Sequence, residues 1–427
     1  MAKIKPFKAV IYKQEAIKDF ALVVCPPYDV ISPSQQELYH EKDPHNFIHI
    51  LLGRDIPGED KYRRAGTIFR DWIKKGIMFY EERPAIYFYS QNFSLKGEKR
   101  ERFGFISLLR LGDKDSAVFA HENTRLAARQ DRFKLIKQVK ANLSPIFVVF
   151  QDKLRIIRRV YQKIQDRPPL IDIVDPDKTR HRLWRVNDPE VLDFMQKGIE
   201  KENIFIADGH HRYEVSCAYR DLVKERLQGS FTGEESVNYL LTYFTNTEPR
   251  GLVILPIHRL LKLVKGFNFV DFLAGLKEYF DVEEVKDKAR FFFLMEKGGR
   301  SEHVIGMYKD KIYRLLRLKN VKILDKMMPD KPKEFRTLDV SVLNSIVFKK
   351  ILGYDPEEKG SLTYGHEAEG FIKAVDEDAQ SVAFFLNSVR IEQIIAVALF
   401  GNKMPPKSTF FYPKVLSGLV VNKFEQD

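Results

Sequence analysis

The sequence predicts a mixed α/β protein of several domains, and three observations lead there. The chain has 427 residues, which is more than one hydrophobic core usually serves. Its apolar share of 44% supports folded cores. Segments rich in β-branched and aromatic residues alternate with segments of helical periodicity, as expected of mixed α/β units.

The first predicted domain, residues 1–160, combines short strands and helices. Residues 85–93 and 102–111 are rich in aromatic and β-branched residues, and a Lys-Gly-Glu turn separates them. This pattern predicts an antiparallel pair of strands. Residues 130–141 carry apolar residues at helical spacing, so a helix is expected before a strand at 145–150.

Two further domains are predicted, at residues 161–265 and 266–427. A basic, Pro-containing stretch at 151–180 is the best boundary signal. The second domain should contain helices at 189–198 and 209–227 and strands at 203–207, 239–244 and 251–255. The third should contain helices at 269–279 and 391–400 and strand-like segments at 290–295 and 418–421.

The chain carries a net charge of +12 and has a pI of about 9.3. This balance favours anionic partners such as a phosphorylated metabolite, pyrophosphate, a nucleotide, nucleic acid or a membrane surface. Lys and Arg recur along the whole chain rather than in one tail, which favours a solvated surface with one anion pocket over nucleic-acid binding. Charged residues of both signs make up 30% of the chain, a composition also common in thermophilic proteins.

Cysteine usage and hydropathy predict a cytoplasmic protein. Cys25 and Cys217 are the only cysteines, too distant for a disulfide framework and too few for a structural zinc site. The N-terminus lacks the apolar stretch of a secretory signal, and no run of about 18 apolar residues occurs. No contact with a membrane is therefore expected.

The strongest chemical signal lies where the strand at 203–207 meets the next helix. Asp208 is predicted as the N-cap of that helix, and Gly209 would permit close approach of a ligand to the backbone. Main-chain amides and the helix dipole favour an anion there, and His210, His211 and Arg212 add donors. The alternative is a simple helix cap with two surface histidines.

A second cluster contains His121, Glu122 and Thr124, followed by Asn142 and Ser144. The spacing is not that of a zinc protease, since position 125 is Arg. Glu122 can act as a general base if it lies beside a substrate hydroxyl. In isolation, it would be read as a solvated loop carboxylate.

Residues 401–409 nearly match the phosphate-binding loop G-x-x-x-x-G-K-[ST]. Pro406 replaces the second glycine and removes an amide that such a loop needs, and the pattern of the residues that follow predicts an extended segment rather than a helix. A true phosphate-binding loop is therefore not expected. Phosphate could still be held by the side chains of this segment, namely Lys403, Lys407, Ser408 and Thr409.

Near the N-terminus, residues 25–32 form a turn that is stiffened by two consecutive prolines. Tyr28, Asp29 and Ser32 would be presented at its end, as substrate contacts or merely as parts of a structural corner.

Six separated segments resemble a long bacterial and archaeal family, and they occur in the order that the family shows. They are residues 26–32, 121–124, 142–146, 207–214, 338–343 and 404–414. The Asp-Gly-His-His-Arg stretch is also similar to the signature of the ParB/sulfiredoxin superfamily, in which free serine kinases use this loop to hold donor phosphates. The long family resembles a pyrophosphate-dependent version that phosphorylates free L-serine to O-phospho-L-serine, an activity of amino-acid biosynthesis.

The resemblance implies a role for each candidate residue. Gly209, His210, His211 and Arg212 would hold the donor phosphates in a ParB-like α/β unit. Asp208 would lie near Mg²⁺ as its ligand, or near the nucleophile, and Glu122 would accept the serine hydroxyl proton. His211 would also be catalytic. The expected substrate contacts are Tyr28, Asp29, Ser32, His121, Thr124, Asn142 and Ser144.

Other functions stay open at this point. ATP or ADP could replace pyrophosphate as donor. A ParB-like nucleotide- or nucleic-acid-binding protein without kinase activity is a different class, although no helix-turn-helix or concentrated basic arm is evident. A metabolite-sensing protein is a third possibility. Small-molecule partners, L-serine and pyrophosphate, are expected rather than nucleic acid.

Overall fold

The protein is a mixed α/β protein, as predicted, and its chain forms two compact units. The structure is a computed structural model that describes residues 1–112, 117–122, 124, 126–264, 266–354 and 362–424. The first unit comprises residues 1–120, 124–253 and 413–427, and the second comprises residues 121–123 and 254–412.

This division differs from the three predicted domains because one sheet draws strands from both sides of the expected boundary near residue 160. Strand Ile86–Leu95 pairs antiparallel with strand Arg180–Val186 along the whole of the latter. The basic, Pro-containing stretch at 151–180 is not a linker between domains, because it contains helix Ile156–Ile164 and strand Ile171–Val174 of the first unit.

Within the described residues, the first unit has a nine-stranded mixed sheet. Its order is Val118–Phe119, Ile204–Asp208, Ile146–Phe150, Tyr239–Asn246, Glu98–Arg110, Ile86–Leu95, Arg180–Val186 and Ile171–Val174, with Ile4–Lys5 paired to Glu98–Arg110. Short strand pairs join Val10–Tyr12 to Met78–Tyr80 and Ala141–Asn142 to Asn422–Lys423. The longer helices are Pro33–Lys42, Lys61–Lys74, Leu126–Val139, Ile156–Ile164, Pro189–Ile199 and His210–Leu227. Shorter turns of helix lie at Gln14–Ala16, Phe20–Val23, Tyr28–Val30, Ile48–Leu51 and Ser236–Asn238.

The two faces of the large sheet differ in character because alternate residues of a strand point to opposite sides. One face is apolar: Phe88, Phe105 and Phe244 belong to a core that also takes in residues of helices Ile156–Ile164 and Pro189–Ile199. The opposite face carries a row of polar and aromatic side chains across neighbouring strands, namely His181, Tyr89, Gln91, Arg102, Tyr243 and Phe147. The candidate site lies on this second face.

The second unit has a six-stranded sheet within the described residues. Its order is Phe280–Val285, Ile312–Leu318, Val304–Lys309, Ser381–Phe385, His258–Lys262 and Leu362–Gly365. Strand Val253–Leu255 leads into this unit, and strand Phe410–Tyr412 ends it. Its helices are Phe269–Tyr279, Lys288–Gly298, Ile323–Met327, Lys333–Arg336, Asp339–Val342 with the π-helix Leu343–Ile351, Ala368–Glu377 and Ile391–Leu399.

Two strand predictions in this half of the sequence are wrong. Residues 290–295 lie in helix Lys288–Gly298, where Phe291 and Met295, one helical turn apart, are buried and the Asp287 carboxylate accepts from the Arg290 amide. Tertiary burial overrides the strand preference of the Phe-Phe-Phe run. Of residues 418–421, only Val421 pairs, as an isolated bridge with Val10.

Among the helices that the structure describes, none has both the length and the hydropathy that crossing a membrane requires.

Gly104 allows close packing on the polar face. A Cβ atom there would lie 2.2 Å from the Phe244 carbonyl oxygen and 2.5 Å from Cε2 of Tyr243. We expect Gly104→Ala to lower the free energy of unfolding by about 2 kcal/mol or more, because overpacking a buried site forces a backbone shift. Urea unfolding measures the change.

The control is Gly370→Ala in helix Ala368–Glu377, where nothing lies within 4 Å of the added Cβ. This change should be neutral or stabilise by up to about 1 kcal/mol. Equal stabilities of the two variants would show that Gly104 is not sterically required.

Candidate functional site

The Asp-Gly-His-His-Arg segment forms the expected join of strand and helix, but its cap differs from the prediction. Asp208 is the last residue of strand Ile204–Asp208, and Gly209 is the N-cap of helix His210–Leu227. Gly209 has φ +94°, a left-handed conformation that favours glycine. A Cβ there would also lie 2.9 Å from Cγ2 of Ile146 and 3.0 Å from Cζ of Arg212. The sequence therefore needs glycine at this turn.

A β-bulge decides where the Asp208 side chain points. Ile206 pairs with Val148, but Asp208 pairs with Phe147, so the register shifts between them. Regular alternation would place Asp208 on the apolar face with Ile206. The bulge re-aims it to the polar face, as bulges beside functional sites often do.

Two cations hold the Asp208 carboxylate. Arg212 Nη2 donates to Oδ2 at 2.6 Å, and Lys414 Nζ donates to Oδ1 at 2.5 Å. Burial alone raises the pKa of Asp208, but Lys414 and Arg212 outweigh it and hold the pKa well below its usual range. Asp208 is thus a permanent carboxylate at neutral pH.

Lys414 is a site residue that the sequence prediction missed. It ends the motif at 404–414, yet it lies 206 residues from Asp208 in the chain, and no local pattern links them. The backbone of this segment is also hydrogen-bonded to the large sheet. Gln91 Nε2 donates to the Lys414 carbonyl at 2.8 Å, and Arg102 donates to the Pro413 carbonyl. The segment from 413 therefore lies on the polar face of the large sheet.

Arg102 is a second residue that the prediction missed. It is 1% exposed, and its guanidinium lies 4.7 Å from the ring centroid of Phe147 and 5.7 Å from that of Tyr243. Gln91 Oε1 accepts from its Nε at 3.1 Å. Burial is the main cause that lowers the pKa of Arg102, and the Asp208 charge opposes this shift. Asp208 therefore contacts Arg212 and Lys414, and its charge also acts on Arg102.

Helix His210–Leu227, which follows Gly209, begins with three residues whose side chains carry nitrogen donors. His210 is buried, and His211 is half-buried. Gly209 offers no side-chain acceptor to the first amides of the helix, which in most helices are capped by a side chain, water or a ligand. Arg212, in contrast, is engaged in the fold, because Nη1 donates to the Pro145 carbonyl and Nη2 to Asp208.

A small cavity of about 60 Å³ adjoins this helix start. Three predicted substrate contacts, Tyr28, Asn142 and Ser144, line it together with Arg132 and Arg212. A water molecule takes up about 30 Å³, so the cavity suits one small polar group rather than a whole ligand.

The lining side chains are also used by the fold. Asn142 Oδ1 accepts from Asn422 Nδ2 at 2.9 Å, and Ser144 Oγ lies 2.6 Å from Ser417 Oγ. The Arg132 guanidinium stacks at 4.2 Å on Tyr28. Burial, followed by the nearby Asp29 charge, raises the pKa of Tyr28 to about 12, so its hydroxyl keeps its proton and can donate.

The other predicted contacts of the first unit do not line this cavity. Ser32 caps helix Pro33–Lys42 by accepting from the Gln35 amide, and Asp29 is exposed. Thr124 donates to the Glu214 carboxylate.

Glu122 belongs to the second unit, where a loop of the 404–414 motif holds it. The Lys407 amide donates to Glu122 Oε1 at 3.2 Å, and Glu122 forms a bridge with Met404. Arg259, which is 1% exposed, donates from Nη2 to the Lys407 carbonyl at 2.8 Å. The predicted base is therefore a positioned carboxylate. Its neighbour His121 is buried.

The predicted phosphate-holding segment contacts Glu122 through Lys407 and Met404, but it is not a phosphate-binding loop. Strand Phe410–Tyr412 follows it instead of a helix, as expected. Lys403 and Lys407 are exposed and Thr409 is half-buried, whereas Ser408 is buried and donates to the Pro405 carbonyl at 2.5 Å.

The donor set does not fit direct ligation of Mg²⁺ by Asp208. Both carboxylate oxygens already accept from cations, and no group of three His, Cys, Asp or Glu side chains suited to a metal occurs in the described parts of the chain. Mg²⁺ requires oxygen ligands that are available to it.

Removing the Lys414 cation should weaken the attachment of the C-terminal segment. We expect Lys414→Met to lower the free energy of unfolding at about pH 7 by about 1–3 kcal/mol, the range for charged hydrogen bonds. Because the folded pKa of Asp208 is depressed, this contribution is present above the unfolded value of about 3.9 and is lost as the pH falls below it. The difference from the wild type should therefore shrink below about pH 4.

Urea unfolding at several pH values measures this, with Lys423→Met in the same terminal segment as the control. A destabilisation that stays constant down to about pH 3 would contradict the ion pair.

Comparisons with known proteins give one family and several remote structural neighbours. No curated protein matches the chain significantly. SbnI from Staphylococcus aureus, with a C-terminal truncation, has a TM-score of 0.37 and 13% identity over 74% of this chain and 86% of its own. A glutamate-to-alanine variant of free serine kinase in complex with ADP has a TM-score of 0.35 and 10% identity over 69% of this chain and 84% of its own. A conserved hypothetical protein from Pyrococcus furiosus has a TM-score of 0.34 and 11% identity over 72% of this chain and 92% of its own.

TM-scores below 0.5 at such identities are too low to assign an activity. The family model is a different matter, because it matches residues 4–341, well over half of the sequence. The chain belongs to the family described as protein of unknown function, DUF1015.

Proposed function

We propose that this protein is a phosphotransferase that moves a phosphoryl group from pyrophosphate to the hydroxyl of free L-serine, giving O-phospho-L-serine and phosphate. The observation that carries the proposal is the excess of positive charge where strand Ile204–Asp208 meets helix His210–Leu227. There, the Asp208 carboxylate accepts from both Arg212 and Lys414, and its charge also acts on the buried Arg102.

Anion binding follows from the local geometry. Gly209, the N-cap of helix His210–Leu227, has no side chain that could cap the first amides of the helix, and the positive end of the helix dipole lies beside those amides. His210 and His211 stand in the same turn. The oxygens of a polyphosphate can accept hydrogen bonds from such donors, and the helix dipole favours their negative charge.

In this proposal, Asp208 orients cations rather than binding metal. Its two oxygens fix Arg212 and Lys414, so those cations are already placed when the donor arrives. Preorganised charge of this kind is the main protein contribution to phosphoryl transfer. Mg²⁺ would enter as the counterion of the donor phosphates, which is how it commonly reaches such enzymes.

Glu122 is the proposed general base. The serine oxygen attacks phosphorus, the bond to the leaving phosphate breaks, and the hydroxyl proton passes to the Glu122 carboxylate. This role needs a carboxylate with a fixed position, and the Lys407 amide and the Met404 bridge provide it. The assignment also follows the analogy with the catalytic glutamate of free serine kinases, which the sequence resemblance suggested.

The donor is tested directly with purified full-length protein. L-serine, MgCl₂ and pyrophosphate should give phosphoserine, detected by phosphorus NMR and by mass spectrometry, because the cationic turn is matched to a polyphosphate. Parallel reactions with ATP and with ADP decide between the pyrophosphate and nucleotide donors. If none of the three donors gives product, the protein is not a serine kinase.

Glu122→Gln tests the base. The amide oxygen of glutamine can still accept from the Lys407 N–H, so the loop should keep its geometry while the proton acceptor is lost. We expect the rate of phosphoserine formation to fall about 10²–10⁴-fold with unchanged circular dichroism.

Glu235→Gln is a matched control, because Glu235 also accepts from main-chain amides, at Thr232 and Gly233. It should retain the wild-type rate. A loss of less than about fivefold in Glu122→Gln would assign proton transfer to another group.

A further inference from the structure

A cavity of about 510 Å³ lies in the second unit. It is found at one edge of three adjacent strands, where Val304–Lys309 begins and where Ile312–Leu318 and Ser381–Phe385 end. Small-molecule sites commonly measure about 300–1,000 Å³, so the cavity is large enough for a whole metabolite.

One wall holds a histidine and an aspartate in a defined relation. His303 Nδ1 lies 2.9 Å from Asp339 Oδ1. An ionised carboxylate can only accept, so Nδ1 carries the proton and Nε2 is left as an acceptor in neutral histidine. Nε2 makes no hydrogen bond with the described residues. Asp339 lies in the motif at 338–343, for which the proposed reaction has no role.

Cations predominate around the same space. Arg300, Lys319 and Arg390 line the cavity together with two carboxylates, Glu302 and Asp339. Both carboxylates are already engaged, Glu302 by Arg317 and Asp339 by His303.

The positive charges of Arg300 and Arg390, in contrast, are little compensated by carboxylates of the described residues. Arg390 forms no ion pair with the described residues, and the nearest carboxylate oxygen to Arg300, from Glu296, is 3.5 Å away. Lys319 Nζ donates to the Lys277 carbonyl at 2.6 Å and lies 4.0 Å from Asp281. Among the described residues, the two guanidinium groups that border this cavity thus have one long ion pair between them, that of Arg300 with Glu296.

We propose that this cavity is a binding site for a small phosphate monoester that also carries a hydroxyl or amino group. A phosphate monoester bears about two negative charges at neutral pH, which matches the two arginines, and guanidinium groups pair well with its oxygens. The hydroxyl or amino group donates to His303 Nε2. The inference does not depend on the kinase activity proposed above.

Glycerol 3-phosphate is the probe, because it combines a phosphate monoester with hydroxyl groups. Isothermal titration of the full-length protein should detect binding tighter than about 1 mM, whereas glycerol should not bind. L-malate, a hydroxylated dicarboxylate, tests whether the charge alone suffices. Hydrogen exchange should show protection by glycerol 3-phosphate at residues 299–303 and 386–390.

The double variant Arg300→Gln/Arg390→Gln should weaken binding more than about tenfold, since each charged hydrogen bond contributes about 1.5–3 kcal/mol. Arg300 and Arg390 are exposed, so the variant should fold. Arg290→Gln, on helix Lys288–Gly298 and outside the lining, is the matched control and should bind like the wild type.

Three results would overturn the proposal. The first is no binding of glycerol 3-phosphate at about 1 mM, and the second is undiminished binding in the double variant. The third is protection confined to the helix start at 209–216, which would place the ligand in the first unit. Malate binding as tight as that of the phosphate ester would replace the phosphate requirement with a general dianion requirement.

Discussion

The first unit depends on the pairing of the Asp208 carboxylate with Arg212 and Lys414. Arg212 is one helical turn beyond Asp208, whereas Lys414 comes from the C-terminal segment. The pairing therefore joins a local turn to the far end of the chain. An unpaired carboxylate in this half-buried position would destabilise the fold. The C-terminal segment therefore stabilises the first unit by supplying Lys414 as a partner for Asp208.

The rest of the polar face supports that pairing. Arg102 and Gln91 hold the backbone of residues 413 and 414, and Asn142 and Ser144 contact Asn422 and Ser417 further along. The Tyr89 hydroxyl lies 2.5 Å from His181 Nδ1, and His181 Nε2 lies 3.0 Å from Asp175 Oδ2, so these three side chains form a chain of hydrogen bonds. Such networks favour one arrangement, because breaking a bond within them would leave a buried polar group unpaired.

The second unit positions the Glu122 carboxylate differently, through main-chain contacts of the loop that contains Lys407. Arg259 is buried and gives its donors to the carbonyls of Ile257 and Lys407, and the amide of Lys407 in turn holds Glu122. Burial lowers the pKa of Arg259 to about 10, so it stays charged at neutral pH. The same loop places Ser408 in the wall of the larger cavity, which links the motif at 404–414 to both features of this unit.

The sequence alone determined the elements whose signals are local. The hairpin of Ile86–Leu95 and Glu98–Arg110, helix Phe269–Tyr279 and the strand-to-helix join at Gly209 follow from residue periodicity, turn residues and the conformational freedom of glycine. Tertiary structure decided the rest. The bulge that turns Asp208, the pairing with Lys414, the burial of Arg102 and the helix at residues 288–298 all depend on neighbours that are remote in the chain. Charge pairing and burial are properties of the assembled sheet, and no pattern within one segment encodes which remote side chain will complete it.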